Sequence, residues 1–278
     1  MDVNSIQHYS DIPFLPVSFF KSRTVIAEGN QPQINFTSSG TTGMITSTHP
    51  VADLKLYEQS FNRAFELFYG SIHEYCIIAL LPAYLEREGS SLVYMADHLI
   101  KASIHPQSGF YLNQYDALAA MLKELSSKKQ KTVLLGVTFA LLDICEKYTF
   151  DFPELIVMET GGMKGRRREM IREELHSVLC QGFGVNKIHS EYGMTELLSQ
   201  AYSAGDGIFI CPPWMKILLR EVNDPFAKVG TNATGGVNVI DLANYYSCSF
   251  IATQDLGKQF NDGSFEILGR FDYSDLRG

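Results

Sequence analysis

Five hydroxyl side chains and two glycines fill seven consecutive positions in Thr37-Ser38-Ser39-Gly40-Thr41-Thr42-Gly43. Gly40 and Gly43 permit tight or left-handed backbone, and successive backbone N–H groups in such a loop form a concavity that holds anions. The hydroxyls add further donors. The chemistry on offer is phosphate binding. The plain structural alternative is a polar surface turn, because Ser, Thr and Gly clusters commonly connect elements. The loop is not a Walker P-loop. Gly43 is followed by Met44-Ile45-Thr46, where that motif carries Lys and Ser or Thr, and the next lysine is Lys55.

Three further stretches carry functional side chains. Ser190-Glu191-Tyr192-Gly193-Met194-Thr195-Glu196 places an aromatic ring, hydroxyls and two carboxylates within seven residues. Thr253-Gln254-Asp255-Leu256-Gly257 follows, then Gly269-Arg270-Phe271-Asp272 and Arg277-Gly278. In this order, and spread over most of the chain, the four stretches resemble the adenylate-forming superfamily of acyl-CoA synthetases, peptide-synthetase adenylation domains and luciferases. That family shows Thr-Ser-Gly-Thr-Thr-Gly, Tyr-Gly-x-Thr-Glu, Thr-Gly-Asp-Leu-Gly and Gly-Arg-x-Asp. Four ordered matches are far more specific than any one of them. Three segments look like the LuxE-like acyl-protein synthetase branch in particular: Ile12-Pro13-Phe14-Leu15-Pro16 leading to Phe19-Phe20-Lys21, Glu159-Thr160-Gly161-Gly162-Met163-Lys164-Gly165, and Ser190-Glu191-Tyr192-Gly193-Met194-Thr195-Glu196-Leu197.

The resemblance implies attack of a carboxylate on the α-phosphate of ATP, giving an acyl-adenylate and pyrophosphate, with Mg²⁺ as cofactor. A fatty acid is the expected substrate, and a protein thiol or coenzyme A the expected acyl acceptor. Carried over residue by residue, Thr37, Ser38, Ser39, Gly40, Thr41, Thr42 and Gly43 would grip the β- and γ-phosphates. The catalytic pair would be Thr195, donating to the α-phosphate, and Glu196, the magnesium ligand. Tyr192 would stack on adenine with Gly193 beside it, and Asp255 would accept from the ribose hydroxyls with Arg270 helping. Gly161 and Gly162 would let backbone approach the adenine and the acyl group. Each has a plain alternative: Tyr192 as a core aromatic, Glu196 at a helix N-terminus, Asp255 in a turn before Gly257, and the glycines in an ordinary strand-to-helix turn. His49 and His189 read as structural.

The sequence departs from the family at three points. Met44-Ile45 stand where Pro-Lys is usual, and Gln254 replaces the glycine before Asp255. The sequence ends soon after Asp272, the family's hinge position, so a small C-terminal domain and its adenylate-contacting lysine are expected to be absent. That leaves a second reading open, a non-catalytic or partner-dependent nucleotide- or acyl-binding remnant of such an enzyme.

These side chains need elements to position them. Apolar residues at helical spacing predict a helix over 51–69, and the unbroken apolar run 76–81 predicts a buried strand. Helices over 115–125, 139–147 and 166–179 alternate with strands over 132–135, 155–158 and near 187–189. This βα alternation predicts a parallel sheet covered by helices. From about residue 207, short strands (208–210, 216–219, 237–240, 249–253, 265–268) between turn residues predict a smaller, mainly antiparallel layer. The expected organisation is α/β: 1–206 with the phosphate loop, 207–268 β-rich and 269–278 a hinge. Residues 81–95 and the surroundings of Met163 are candidates for an acyl tunnel.

With 278 residues, 45% of them hydrophobic, the chain can bury a substantial core. Its net charge of −8 argues against nucleic acid as a partner. Arg166-Arg167-Arg168 is the only dense basic run and reads as a solvated helix face. The five cysteines show no C-x-x-C pair, so neither zinc nor a disulfide framework is indicated, and Cys76 and Cys145 read as small buried hydrophobes. No signal segment and no membrane-spanning run is evident, which predicts a cytoplasmic protein.

Overall fold

The computed structural model describes residues 6–38, 45–81, 89–161 and 170–271. Ser39, Gly40, Thr41, Thr42, Gly43, Gly162, Met163, Asp272 and the arginine run 166–168 lie outside the described residues.

A two-residue strand, β1 (Leu15–Pro16), and a single helical turn, α1 (Phe19–Ser22), come first. A hairpin follows, β2 (Ile34–Thr37) antiparallel to β3 (Thr48–Val51), with Phe36 opposite His49 and Thr37 opposite Thr48. The hydroxyl-rich motif is the stretch that joins these two strands. Helix α2 (Leu54–Tyr69) starts three residues later than its periodicity predicts, because Val51 is still paired in β3. Asp53 caps it, accepting from the amides of Lys55 and Leu56 at 3.0 and 3.3 Å. Tyr57, Phe61, Ala64 and Phe65 form its buried face.

The chain then alternates between strand and helix: β4 (Cys76–Leu80), α3 (Ser91–Ser103), β5 (Gly109–Tyr111), α4 (Tyr115–Ser127), β6 (Thr132–Gly136), α5 (Thr138–Lys147), β7 (Leu155–Thr160), α6 (Arg172–Phe183) and β8 (His189–Tyr192). The five strands pair in parallel in the order β5-β4-β6-β7-β8, and β9 (Ala201–Ser203) adds antiparallel to β8. Every residue of β4 and β6 is buried, as expected for strands covered on both faces. Helix α3 was not foreseen within the proposed tunnel segment. The hydroxyl of Ser90 caps it, accepting from the Val93 amide at 3.3 Å. Helix α6 begins at Arg172, not 166, and runs four residues past the expected end. Glu173 and Glu174 in its first turn complement the helix dipole, and left-handed Gly184 (φ 67°) ends it.

After β10 (Ile208–Ile210), the strands β11 (Met215–Arg220), β12 (Thr234–Asp241), β13 (Phe250–Gln259) and β14 (Phe265–Arg270) pair antiparallel in sequence order. β1 lies parallel along β13. β13 is twice as long as expected, and this corrects the turn reading of Asp255, which sits inside the strand. The mixed α/β fold with a parallel sheet, covering helices and an antiparallel layer is the one the alternation predicts.

Two compact units result: one of Met1–Tyr57, Thr195–Ser199 and Ile210–Gly278, the other of Glu58–Met194 and Gln200–Phe209. The N-terminal residues thus cluster with the C-terminal strands. Among the described residues no helix is long and apolar enough to cross a membrane.

Candidate nucleotide and carboxylate site

In the first unit, the base of the hydroxyl loop is closed by two hydrogen bonds. The Ser38 amide donates to the Ser47 carbonyl at 3.0 Å, and the Ser47 amide to Ser38 Oγ at 2.9 Å. Two residues on, His49 is fully buried and donates from Nδ1 to the carbonyl of Thr195 at 2.8 Å. Burial pushes the imidazole down to about 4, against the opposing pull of the Thr195 carbonyl and Asn244. This bond joins the hairpin bearing the first motif to the segment bearing the second.

The segment Thr195–Ser199 has further anchors. Asn244 Nδ2 donates to the Glu196 carbonyl at 2.7 Å. Asp241, wholly buried, accepts from the amides of Leu198, Ser199 and Ala243 and from Ser199 Oγ, at 2.5 to 3.1 Å. Burial raises its carboxyl above the usual range while these four bonds oppose the rise. Thr195 and Glu196 form a turn and do not open a helix. The Glu196 residue is only 7% exposed, and among the described residues its carboxylate makes no hydrogen bond or ion pair.

On the antiparallel strands, Asp255 is buried opposite Arg270, which donates from Nε at 3.2 Å. Arg270 is mostly exposed and Asp255 is not. Arg220, which belongs to none of the motifs, is buried on β11, the strand that pairs with β12. It donates from Nη1 to the Val237 carbonyl and Asn238 Oδ1 and from Nη2 to the Thr253 carbonyl. These bonds fix β13 two residues before Asp255.

In the second unit, the remaining expected residues sit at the C-terminal ends of β7 and β8, the ends at which parallel sheets bind ligands. Gly161 has a left-handed backbone (φ 75°), and its carbonyl accepts from Thr138 Oγ1 at 2.6 Å. Tyr192 is buried with its ring edge-on to Phe209 at 5.9 Å. A Cβ at Gly193 would stand 2.4 Å from Glu191 Oε1, so a larger residue there would displace the end of the Glu191 side chain. Sequence reasoning passed over the carboxylates of this unit. Glu159 accepts from Ser190 Oγ at 2.8 Å and from Thr138 Oγ1 at 3.3 Å. Glu191 accepts from Thr160 Oγ1 at 2.6 Å. Burial, with repulsion from Glu159, pushes Glu191 up to about 7, and the Thr160 bond pulls it back. His189, within 3.2 Å of the Tyr69 hydroxyl, is pushed down to about 4 by burial.

All five cysteines hold thiols raised by burial, Cys76 to about 11 and Cys145 to about 12. None has the electropositive setting of a nucleophile. No three His, Cys, Asp or Glu side chains among the described residues are placed to hold a metal ion together. Magnesium fits the donor set in a different way, since it takes one or two carboxylates and completes its shell with phosphate oxygens and water. Glu196 is a carboxylate without a protein cation beside it among the described residues.

The mixed α/β fold is shared with solved structures. Among solved structures, the chain is similar to ATP-bound MatB from Rhodopseudomonas palustris, with a TM-score of 0.63 and 17% identity over 85% of this chain and 47% of that one. It is similar to the luciferase-like enzyme of the mealworm Zophobas morio, with a TM-score of 0.57 and 14% identity over 88% and 59%. It is also similar to O-succinylbenzoate coenzyme A synthetase (MenE) from Bacillus subtilis in complex with ATP and magnesium, with a TM-score of 0.54 and 16% identity over 85% and 49%. The chain therefore spans about half the length of MatB. No family model and no curated protein matches the sequence.

Proposed function

We propose that this chain activates a carboxylic acid with ATP. A carboxylate oxygen bonds to the α-phosphorus and pyrophosphate leaves, giving an acyl-adenylate. A thiol then takes the acyl group and AMP leaves. The observation that carries the reading is Glu196, a residue only 7% exposed whose carboxylate lacks a protein partner among the described residues. Its neighbour Thr195 is tied through His49 to the hairpin bearing the hydroxyl loop.

In this reading Thr37, Ser38, Ser39, Gly40, Thr41, Thr42 and Gly43 hold the β- and γ-phosphates with hydroxyl and amide donors. The Thr195 hydroxyl donates to the α-phosphate, where negative charge accumulates, and Glu196 is the magnesium ligand. Magnesium, when bound, supplies charge neutralisation across the phosphates. Tyr192 offers its ring to adenine, with Gly193 beside it. Asp255 receives the ribose hydroxyls with Arg270 alongside. Gly161 and Gly162 leave room for backbone to approach. Positioning and electrostatic stabilisation supply most of the rate. The substrate we favour is a fatty acid and the acceptor a protein thiol or coenzyme A, on the strength of the LuxE-like segments. The boundary near residue 207 and a hinge over 269–278 belong to the same proposal.

The test is pyrophosphate release with Mg-ATP across short-, medium- and long-chain and aryl carboxylates, for this chain and for Glu196→Ala. The expected result is acid-dependent release that falls at least ~100-fold in the variant. ATP binding without release for any acid would favour the nucleotide-binding alternative.

A further inference from the structure

Around the Thr195–Ser199 segment, two hydrogen-bonding groups remain to be accounted for. A carbonyl oxygen can only accept, so His49 must carry its proton on Nδ1 to reach the Thr195 carbonyl. Burial keeps the ring neutral, which leaves Nε2 as a bare acceptor. Asn244 donates from Nδ2 to the Glu196 carbonyl, so its Oδ1 is an acceptor as well. Turning the amide over would set Oδ1 against that carbonyl at 2.7 Å, acceptor against acceptor. His49 Nε2 and Asn244 Oδ1 are both fully buried and have no hydrogen-bond partner among the described residues.

The two side chains are neighbours, since Asn244 is one of the groups that oppose the fall of the His49 pKa, and both residues line one small pocket.

We propose that His49 is a positioning residue which, with Asn244, holds the Thr195–Glu196 turn against the base of the phosphate-loop hairpin. His49 reaches the Thr195 carbonyl and Asn244 reaches the Glu196 carbonyl, so adjacent peptide groups of the turn are each held by a buried side chain. Neither residue touches substrate. Their effect is to fix the backbone from which the Thr195 hydroxyl and the Glu196 carboxylate project. A buried ring between two motifs is suited to this, because an unmatched acceptor in its place would cost a buried hydrogen bond. The assignment rests on the activity proposed above for Thr195 and Glu196, but its geometry can be tested apart from that activity.

The first test is nitrogen NMR of the full chain with labelled histidine, in which His49 should be protonated on Nδ1 and bare on Nε2. A ring protonated on Nε2 alone overturns the proposal. The second compares His49→Ala with His49→Asn, whose Nδ2 occupies about the place of the imidazole Nδ1. His49→Ala should lower kcat for pyrophosphate release by about tenfold or more with the carboxylate KM little changed, and His49→Asn should recover most of it. Equal loss in both variants, or no loss in His49→Ala, overturns it. If the wild-type chain releases no pyrophosphate, the activity reading fails on its own. Amide exchange at Leu198 and Ser199 then decides the structural claim: faster in His49→Ala and restored in His49→Asn supports it, and no change overturns it.

Discussion

Glu196 and Asp241 are both buried carboxylates, and their surroundings set them apart. Asp241 receives four protein donors, so its charge is matched within the fold and its work is structural. Asp241→Asn turns one acceptor into a donor facing the amides and hydroxyl of Leu198 and Ser199. It should cost about 2 kcal/mol in chemical denaturation, and an unchanged midpoint would remove Asp241 from its anchoring role. Charge also sets a pH dependence, in which two groups oppose one another. His49 and His189 fall from 6.5 to about 4 on folding, so their stabilisation is complete above 6.5 and is lost as pH falls towards 4. Glu191 rises from 4.5 to about 7, so its contribution is complete below 4.5 and is lost as pH rises through 7. Glu191→Gln keeps an acceptor for Thr160 and removes the buried charge. Relative to wild type it should gain about 3 kcal/mol between acid and alkaline ends of that window, measured as urea midpoints against pH. A pH-independent difference would mean that Glu191 keeps an ordinary carboxylate affinity in the fold.

At the scale of elements, the long strands and helices follow their apolar patterns. Strands β4, β6 and β7 and helices α2, α4 and α5 fall within a few residues of their expected bounds, because continuous burial leaves a continuous apolar run in sequence. The misses share a cause. Helix α3 carries Tyr94, Asp97, His98 and Lys101 along its length, so its 3.6-residue pattern is diluted. The hairpin β2–β3 is only four residues to a side, too short for alternation to speak. Asp255 looked like a turn residue because Asp and Gly together favour turns. Instead Gly257 serves close packing, since a side chain there would come within 2.8 Å of the Glu266 carbonyl and Val237. Gly184 is the sharper case: with φ 67° it closes α6, and an added Cβ would stand 2.5 Å from the Phe150 carbonyl. Gly184→Ala should destabilise by about 1–3 kcal/mol, read from the thermal midpoint. Tolerance of alanine there would show that the end of α6 relaxes.

For the molecule as a whole, the chain passes between the two units at 57/58, 194/195, 199/200 and 209/210. Such repeated crossing predicts that neither unit unfolds alone. Trp214, the only tryptophan, reports on the first unit, and helices α3 to α6 belong to the second. Urea unfolding followed by tryptophan fluorescence and by far-UV circular dichroism should therefore give one midpoint; two separate midpoints would show independent folding. The sequence by itself determined the α/β class, the βα alternation, the antiparallel layer and the four motifs, since each is written in neighbouring residues or in a short period. Only the tertiary structure decided that residues 1–57 cluster with the C-terminal strands, that His49 and Asn244 grip the two carbonyls of the Thr195–Glu196 turn, and that Arg220 braces the strand of Asp255. Those contacts join positions 17 to 146 residues apart. No local pattern records them, because a hydrogen bond across such a distance exists only once the chain has closed upon it.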